Sequence, residues 1–199
     1  MVTAIIKDIA TVQMGYSFRS RLEASENGNI AVIQMKDLLD DSSVDCSGLM
    51  KIDMHTLKEQ HFAKKRDLVF RSRGQVNTSA VILDNPGNAV IAAPLLRIRI
   101  TDPEKVLPEY LNWYISQADA QRYLTSMQAG TSVNMIRSTQ LEQMPVHLPA
   151  LKMQKNIVEL AALSARERMI LNTLAEKRGR YISTLLMQLA KEDKNDETS

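Results

Sequence analysis

Residues 129–158, AGTSVNMIRSTQLEQMPVHLPALKMQKNIV, decide how this chain is read. A polar Gly-Thr-Ser loop leads to Thr139 and Glu142, a T-x-x-E spacing that predicts a capped helical turn. Pro145 and Pro149 then bracket Val146-His147-Leu148. Proline donates nothing to a sheet ladder, so this piece fits an edge strand. A helix begins near Leu151 and runs to about Lys191. Leu160, Leu163, Ile170, Leu174, Tyr181 and Leu185 recur along it at spacings close to three, four and seven, and Ala161, Ala162 and Ala165 allow close approach. Roughly 40 residues at 1.5 Å each give about 60 Å. A single small domain cannot cover that length, so the apolar stripe needs a partner, most simply the same helix of a second chain. Arg178 and Gly179 interrupt the stripe and mark a point for a kink. The chain divides into a compact domain at 1–150, a dimerisation and spacer helix at 151–190, and a polar acidic tail at 191–199 that is expected to be disordered.

Working back toward the N-terminus, Ile5, Ile6, Ile9 and Val12 have helical spacing, which predicts a helix over Thr3–Met14 with Thr3 as N-cap and Gly15 as its stop. A serine- and arginine-rich loop, GYSFRSRLEASENGN, follows. Ile30–Met35, Asp67–Phe70 and Ala80–Leu83 read as strands, and Asp40–Gly48 as an acidic turn. Asn85-Pro86-Gly87-Asn88 is a turn signal. Val90–Ile100 is β-rich. Leu96, Ile98 and Ile100 alternate with Arg97 and Arg99, so one face is buried and the other presents two cations. Pro108 suits the first turn of a helix that ends near Ala129-Gly130, with Leu111, Ile115 and Ala118 on one face and Tyr114 beside them. No internal repeat is visible.

The 199 residues carry 25 basic and 23 acidic side chains. That balance does not by itself indicate a polyanionic partner. Distribution is more informative. Lys51–Arg73 and Lys152–Arg180 each hold seven basic and three acidic residues, a local excess of four. The lone Cys46 excludes an internal disulfide and reads as a bystander thiol. A basic-then-apolar N-terminal pattern is missing, and no apolar run approaches the roughly 20 residues of a membrane span, so a cytoplasmic protein is expected. His55, His61 and His147 are scattered without zinc-ligand spacing. There is no G-x-S-x-G, Walker loop or Rossmann fingerprint, and no Asn-Pro-Pro-aromatic or Asp-Pro-Pro-aromatic box of amino-methyltransferases. The chain is expected to be non-catalytic.

Three polar loops hold chemistry suited to nucleic acid. The first carries Tyr16, Ser17, Arg19, Ser20 and Arg21; the second Arg71, Ser72, Arg73, Gln75 and Asn77, with Gly74 to relieve backbone strain; the third Gln128, Thr131, Ser132, Asn134 and Arg137. Arginine can bond both guanine acceptors at once, and Asn or Gln can do the same with adenine. Lys64, Lys65 and Arg66 suit phosphates. Composition alone favours ordinary solvated loops over this reading.

The order of segments resembles a half-length specificity subunit of type I restriction-modification systems over nearly the whole chain. Gly15-Tyr16-Ser17-Phe18 is similar to the loop that opens a target recognition domain. Asn29–Ile33 and Met35-Lys36-Asp37-Leu38 resemble the first strand and its Asp-Leu, and Asp67–Gly74 a hydrophobic segment ending in Ser/Arg-x-Gly. Tyr110-Leu111 and Tyr114 are similar to its helix. The final block, Gly130-Thr131-Ser132, Ile136, Leu141, Met144–Pro149, Leu151, Gln154, Ile157 and Val158, follows the family's order. Ala150 stands where the family has a second proline, Met153 where it has glutamate, and Thr131-Ser132 are exchanged.

The resemblance implies an α/β (α+β) target recognition domain with a small mixed sheet and DNA-reading loops, followed by a long helix that pairs as an antiparallel coiled coil. It further implies a homodimer that reads a bipartite palindrome in double-stranded DNA and directs methyltransferase subunits, and an endonuclease subunit, to it. No cofactor belongs to this chain; S-adenosylmethionine belongs to the partner methyltransferase. A rival expectation is an interaction or decoy module that binds methyltransferase through the helix without reading DNA.

Overall fold

The structure, a computed structural model, describes residues 2–40, 42–54, 57–74, 77–128 and 135–196, the side chains of 192–196 excepted. It forms two units, Met1–Val158 and Glu159–Ser199, so the first two turns of the long helix belong to the domain.

Among the described residues the domain is built on three sheets. A two-stranded antiparallel ribbon pairs β1 (Val2–Ile5) with β9 (Pro145–Leu148), numbering strands in chain order. A four-stranded antiparallel sheet has the order β2 (Ala10–Met14), β8 (Leu96–Ile100), β5 (Leu68–Phe70), β6 (Ser79–Val81). A three-stranded sheet sets β3 (Ile30–Ile33) between antiparallel β4 (Met50–Ile52) and parallel β7 (Ala89–Ile91).

The pleat of the four-stranded sheet separates two cores, because successive side chains point to opposite faces. Val12, Leu68, Phe70, Val81, Leu96 and Ile98 face a helical layer of α1 (Pro108–Ile115), α2 (Ala118–Gln128) and α3 (Ser138–Glu142). Val69 and Ala80 face the other way, onto Ile33, Ala89 and Ile91 of the three-stranded sheet. The outer face of that smaller sheet, Ile30, Val32, Ile52 and Val90, is covered by Tyr16, Phe18 and Leu22 of the first loop.

Several expectations are corrected. The helix over Thr3–Met14 is two strands joined by a 3-10 turn at Ile6–Asp8. The segment is rich in β-branched residues, and both halves find ladder partners, β9 and β8. The strand predicted to Met35 ends at Ile33 and turns into a 3-10 helix at Met35–Asp37. The helix from Pro108 breaks after Ile115. There the Ser116 hydroxyl and the Gln117 amide both donate to the Trp113 carbonyl, competing with the backbone. Leu111, Tyr114 and Ile115 are buried as expected, but Ala118 is exposed and Ala120 takes the core position. The T-x-x-E box does not form at Thr139: the N-cap of α3 lies two residues earlier, at Arg137, whose N–H is accepted by Gln140 Oε1 at 2.9 Å.

The long helix, α4 (Leu151–Asp196), is continuous through Arg178 and Gly179 and extends past Lys191 into the region expected to be disordered. Within Glu159–Ser199, Leu160, Leu163, Ile170, Leu174 and Tyr181 are exposed and Leu185 is partly exposed.

Gly15 marks a close backbone approach. A Cβ there would lie 2.7 Å from Ala92 C and Ile91 O. The contact matters because Gly15 N and Tyr16 N donate to Leu95 O and Ile91 O and so seat the first loop. Gly15→Ala is expected to lower stability by about 2 kcal/mol, by overpacking against backbone that cannot retreat. A urea denaturation midpoint equal to that of the parent chain would contradict it.

Candidate nucleic-acid interface

Strand register brings the loops together. Met14 lies opposite Leu96, Leu96 opposite Phe70, and Phe70 opposite Ser79. The first loop leaves after Met14, and the second lies between Phe70 and Ser79, so both depart from one edge of the four-stranded sheet. Segment Ala92–Leu95 runs along the same edge. Ala93 N donates to Tyr16 O at 3.0 Å, and the Ser72 hydroxyl donates to Pro94 O. The third loop is tied to the second: Ile136 N donates to Ser72 O at 2.8 Å, Arg73 forms a β-bridge with Met135, and Gln128 Nε2 donates to Asn77 Oδ1 at 2.9 Å.

Within this cluster the side chains divide into supports and surface. Ser72 and Asn77 are buried, and Asn77 Nδ2 donates to Arg71 O. Arg71 is half-buried, with Nη2 donating to Leu38 O at 2.9 Å. These three were expected to face DNA; burial and internal bonds make them braces of the loop instead. Arg19, Arg21, Arg73 and Arg137 are exposed, and none is ion-paired among the described residues. Ser17 is exposed as well. Tyr16 is partly buried, with its ring 4.9 Å from Phe18 and edge-on to His61 at 5.4 Å. Arg19 and Arg21 line an open groove of about 770 Å³ floored by Ile52 and Met54, with Glu23 and Asp53 among its walls. Gly74 has φ 122°, as its place in a tight loop requires. Gln75, Thr131, Ser132, Asn134 and His55 lie outside the described residues.

Lys64 and Lys65 are exposed but not part of this edge. They precede Leu68, at the other end of β5. Arg66 there pairs with Glu109 at 2.9 Å. The two cations expected on the open face of β8 are likewise used internally. Arg97, 6% exposed, donates to Gln60 O at 2.7 Å and to Gln13, and its Nε is without a partner among the described residues. Burial, then Arg99, lowers its pKa, against the pull of Asp67. Arg99 is forked onto Asp67 at 2.7 and 2.6 Å, a hydrogen bond that raises its pKa.

Other candidate chemistry is structural. His147 Nδ1 meets the Thr3 hydroxyl at 3.2 Å. Burial, with Asp84, Asp45 and Asp37 nearby, pushes the Cys46 thiol up, away from a reactive thiolate. Asp37 and Asp45 cap their own turns. Among the described residues no cluster of His, Cys, Asp or Glu could hold a metal, and no helix is long and apolar enough to cross a membrane.

Sequence reasoning assigned no structural role to two residues. Gln154, wholly buried, joins the start of α4 to the segment before α1: Leu107 N donates to it at 3.0 Å, and its amide donates to Lys105 O and Pro149 O at 2.8 Å each. Trp113, with Tyr110 and Tyr114, lines an apolar groove of about 460 Å³. Tyr110 donates to His147 O at 2.6 Å, and burial pushes its pKa up to about 12. A glutamine one turn into an apolar helix face was the available signal for the first.

Solved structures share this fold. A chain from the type I R-M system, described for its complex assembly and conformational transition, matches with a TM-score of 0.65 at 19% identity, covering 85% of this chain and 39% of that one. The HsdS subunit from Thermoanaerobacter tengcongensis matches at 0.55 and 17%, covering 84% and 37%. The type I restriction-modification S subunit from M. genitalium matches at 0.52 and 13%, covering 88% and 41%. This chain therefore spans about two fifths of each. No curated protein matches it. Residues 1–174 match the type I restriction modification DNA specificity domain, and the chain belongs to that family.

Proposed function

We propose that this chain is a DNA-reading specificity subunit that dimerises through α4 and recognises a bipartite palindromic site. The observation that carries this reading is the departure of the first and second loops from one edge of the four-stranded sheet, with the third tied to the second, and with Arg19, Arg21, Arg73 and Arg137 on these loops exposed and not ion-paired among the described residues. Two copies related by a two-fold axis present the same loops to two half-sites, which calls for palindromic DNA. The helices set the spacing between them. Methyltransferase subunits, which bring S-adenosylmethionine, and an endonuclease subunit assemble on the helix pair in the cytoplasm, and this chain performs no chemistry.

The test is binding to a library of duplexes with randomised half-sites, read by sequencing of the bound fraction over a salt series. The parent chain is expected to select a symmetric two-part motif. Arg19→Ala, Arg21→Ala and Arg73→Ala are each expected to weaken selected-site binding about tenfold if they read bases, at roughly 1–3 kcal/mol per contact. A residue that touches phosphate instead lowers the salt slope by about 0.9. Arg71→Ala is expected to lower stability more than it changes the selected motif. Salt-independent binding, or no selection at all, would favour a decoy that holds methyltransferase without reading DNA.

A further inference from the structure

We propose that Arg97 holds a single halide ion, of which chloride is the common one, in a small cavity beneath the root of the first loop. The site lies wholly within Met1–Val158 and depends neither on dimerisation nor on DNA.

Arginine has five N–H donors and no acceptor, and it keeps its charge inside a protein. Arg97 is 6% exposed. Its Nη1 donates to Gln60 O at 2.7 Å and to Phe62 O at 3.2 Å, and its Nη2 donates to Gln13 Oε1. All of these acceptors are neutral. Asp67, the carboxylate whose pull Arg97 feels, is forked onto Arg99, and Arg99 in turn repels Arg97. Two guanidinium groups on one face of β8 thus share one carboxylate. A buried charge without a counter-charge is strongly disfavoured. The Arg97 Nε–H adds to the imbalance, since it is buried with no acceptor among the described residues.

Arg97 lines a cavity of about 10 Å³ together with Gln13, Gln60, His61, Gly15 and Tyr16. The polar lining is rich in donors. Because Arg97 can only donate, Gln13 turns its oxygen to it and keeps its NH2 as a further donor. Gln60 and His61 bring other N–H groups, and the described residues of the lining include no carboxylate. The volume is about what one water needs. A monatomic halide, only slightly larger than water, fits; phosphate, sulfate and carboxylates do not. Charge decides between halide and water. Water leaves the guanidinium uncompensated, whereas a halide accepts the Nε–H and neutralises it. Gly15 N and Tyr16 N are held by Leu95 O and Ile91 O, so the ion braces the point where the first loop leaves β2.

The experiment is urea unfolding of the full chain, followed by Trp113 fluorescence, in sodium chloride and in sodium gluconate of equal ionic strength. Gluconate is too large for the cavity. The midpoint is expected to rise as chloride replaces gluconate, because a ligand bound only by the folded chain stabilises it with the logarithm of its concentration. Bromide is expected to act as chloride does, and crystals grown in bromide to show its anomalous signal beside Arg97 Nε. Gln13→Glu sets a carboxylate on Arg97 at nearly unchanged size. That variant is expected to match or exceed the parent midpoint in gluconate and to lose the chloride dependence. Equal parent midpoints in chloride and gluconate overturn the proposal and leave room for a water alone. Chloride dependence that persists undiminished in Gln13→Glu, or a bromide signal only at other positions, puts the ion elsewhere and overturns it too. A Gln13→Glu midpoint below the parent's in gluconate shows that Arg97 lacks no counter-charge, with the same result.

Discussion

Gln154→Leu is expected to destabilise the domain by about 3 kcal/mol or more while leaving its apolar packing in place. Leucine fills similar space but offers no polar atom. The Leu107 N–H and the Lys105 and Pro149 carbonyls would lose the side chain that now satisfies them. Each buried polar group left without a partner costs about 1–3 kcal/mol. Gln154 is fully buried, so water has no direct route to replace it. The affected groups all sit where α4 leaves the domain, so the start of the helix is expected to fray first. Urea unfolding followed by Trp113 fluorescence measures the loss, because Trp113 lies in the domain rather than along the distal helix. An unchanged midpoint would mean that the joint is held by apolar contacts alone.

Asp67→Ala is expected to cost about 3–5 kcal/mol, the range for breaking one side of a buried ion pair. Asp67 is 2% exposed and receives two hydrogen bonds from Arg99 and one from the Lys64 amide at 2.8 Å. It is the carboxylate that opposes the crowding of Arg97 and Arg99. Without it, two cations stand side by side on the covered face of β8, and Arg97 is already disfavoured by burial. A double-mutant cycle with Arg99→Ala separates the causes. If stranding of Arg99 dominates, the double variant recovers part of the loss. A single variant within about 0.5 kcal/mol of the parent chain would show that the pair is not a structural element.

Turns and polarity were legible locally. The Asn85–Asn88 turn, the loop at Gly74 and the strand between Pro145 and Pro149 formed where turn and ladder chemistry put them. The convergence of loops was not legible, because it depends on Met14 meeting Leu96 and Leu96 meeting Phe70, partners far apart in sequence. The start of the chain was misread because a short β-branched run fits either period, and only its partners β8 and β9 decide. Alternation in β8 correctly set Arg97 and Arg99 apart from the core leucine and isoleucine. It could not show that Gln60, Phe62 and Asp67 fold back over that face. For the same reason the loop arginines looked alike in sequence, although Arg71 is a brace and Arg73 is exposed.

The β1–β9 ribbon pairs Val2 with Leu148 and Ile5 with Pro145. Everything from β2 to α3 therefore leaves and returns at neighbouring points on a two-stranded stem. Chain segments whose ends lie side by side tolerate transplantation best, since a replacement need only match the gap between them. The body from β2 to α3 is thus inserted into the chain at the stem and not strung along it, with both of its ends held by one pair of strands.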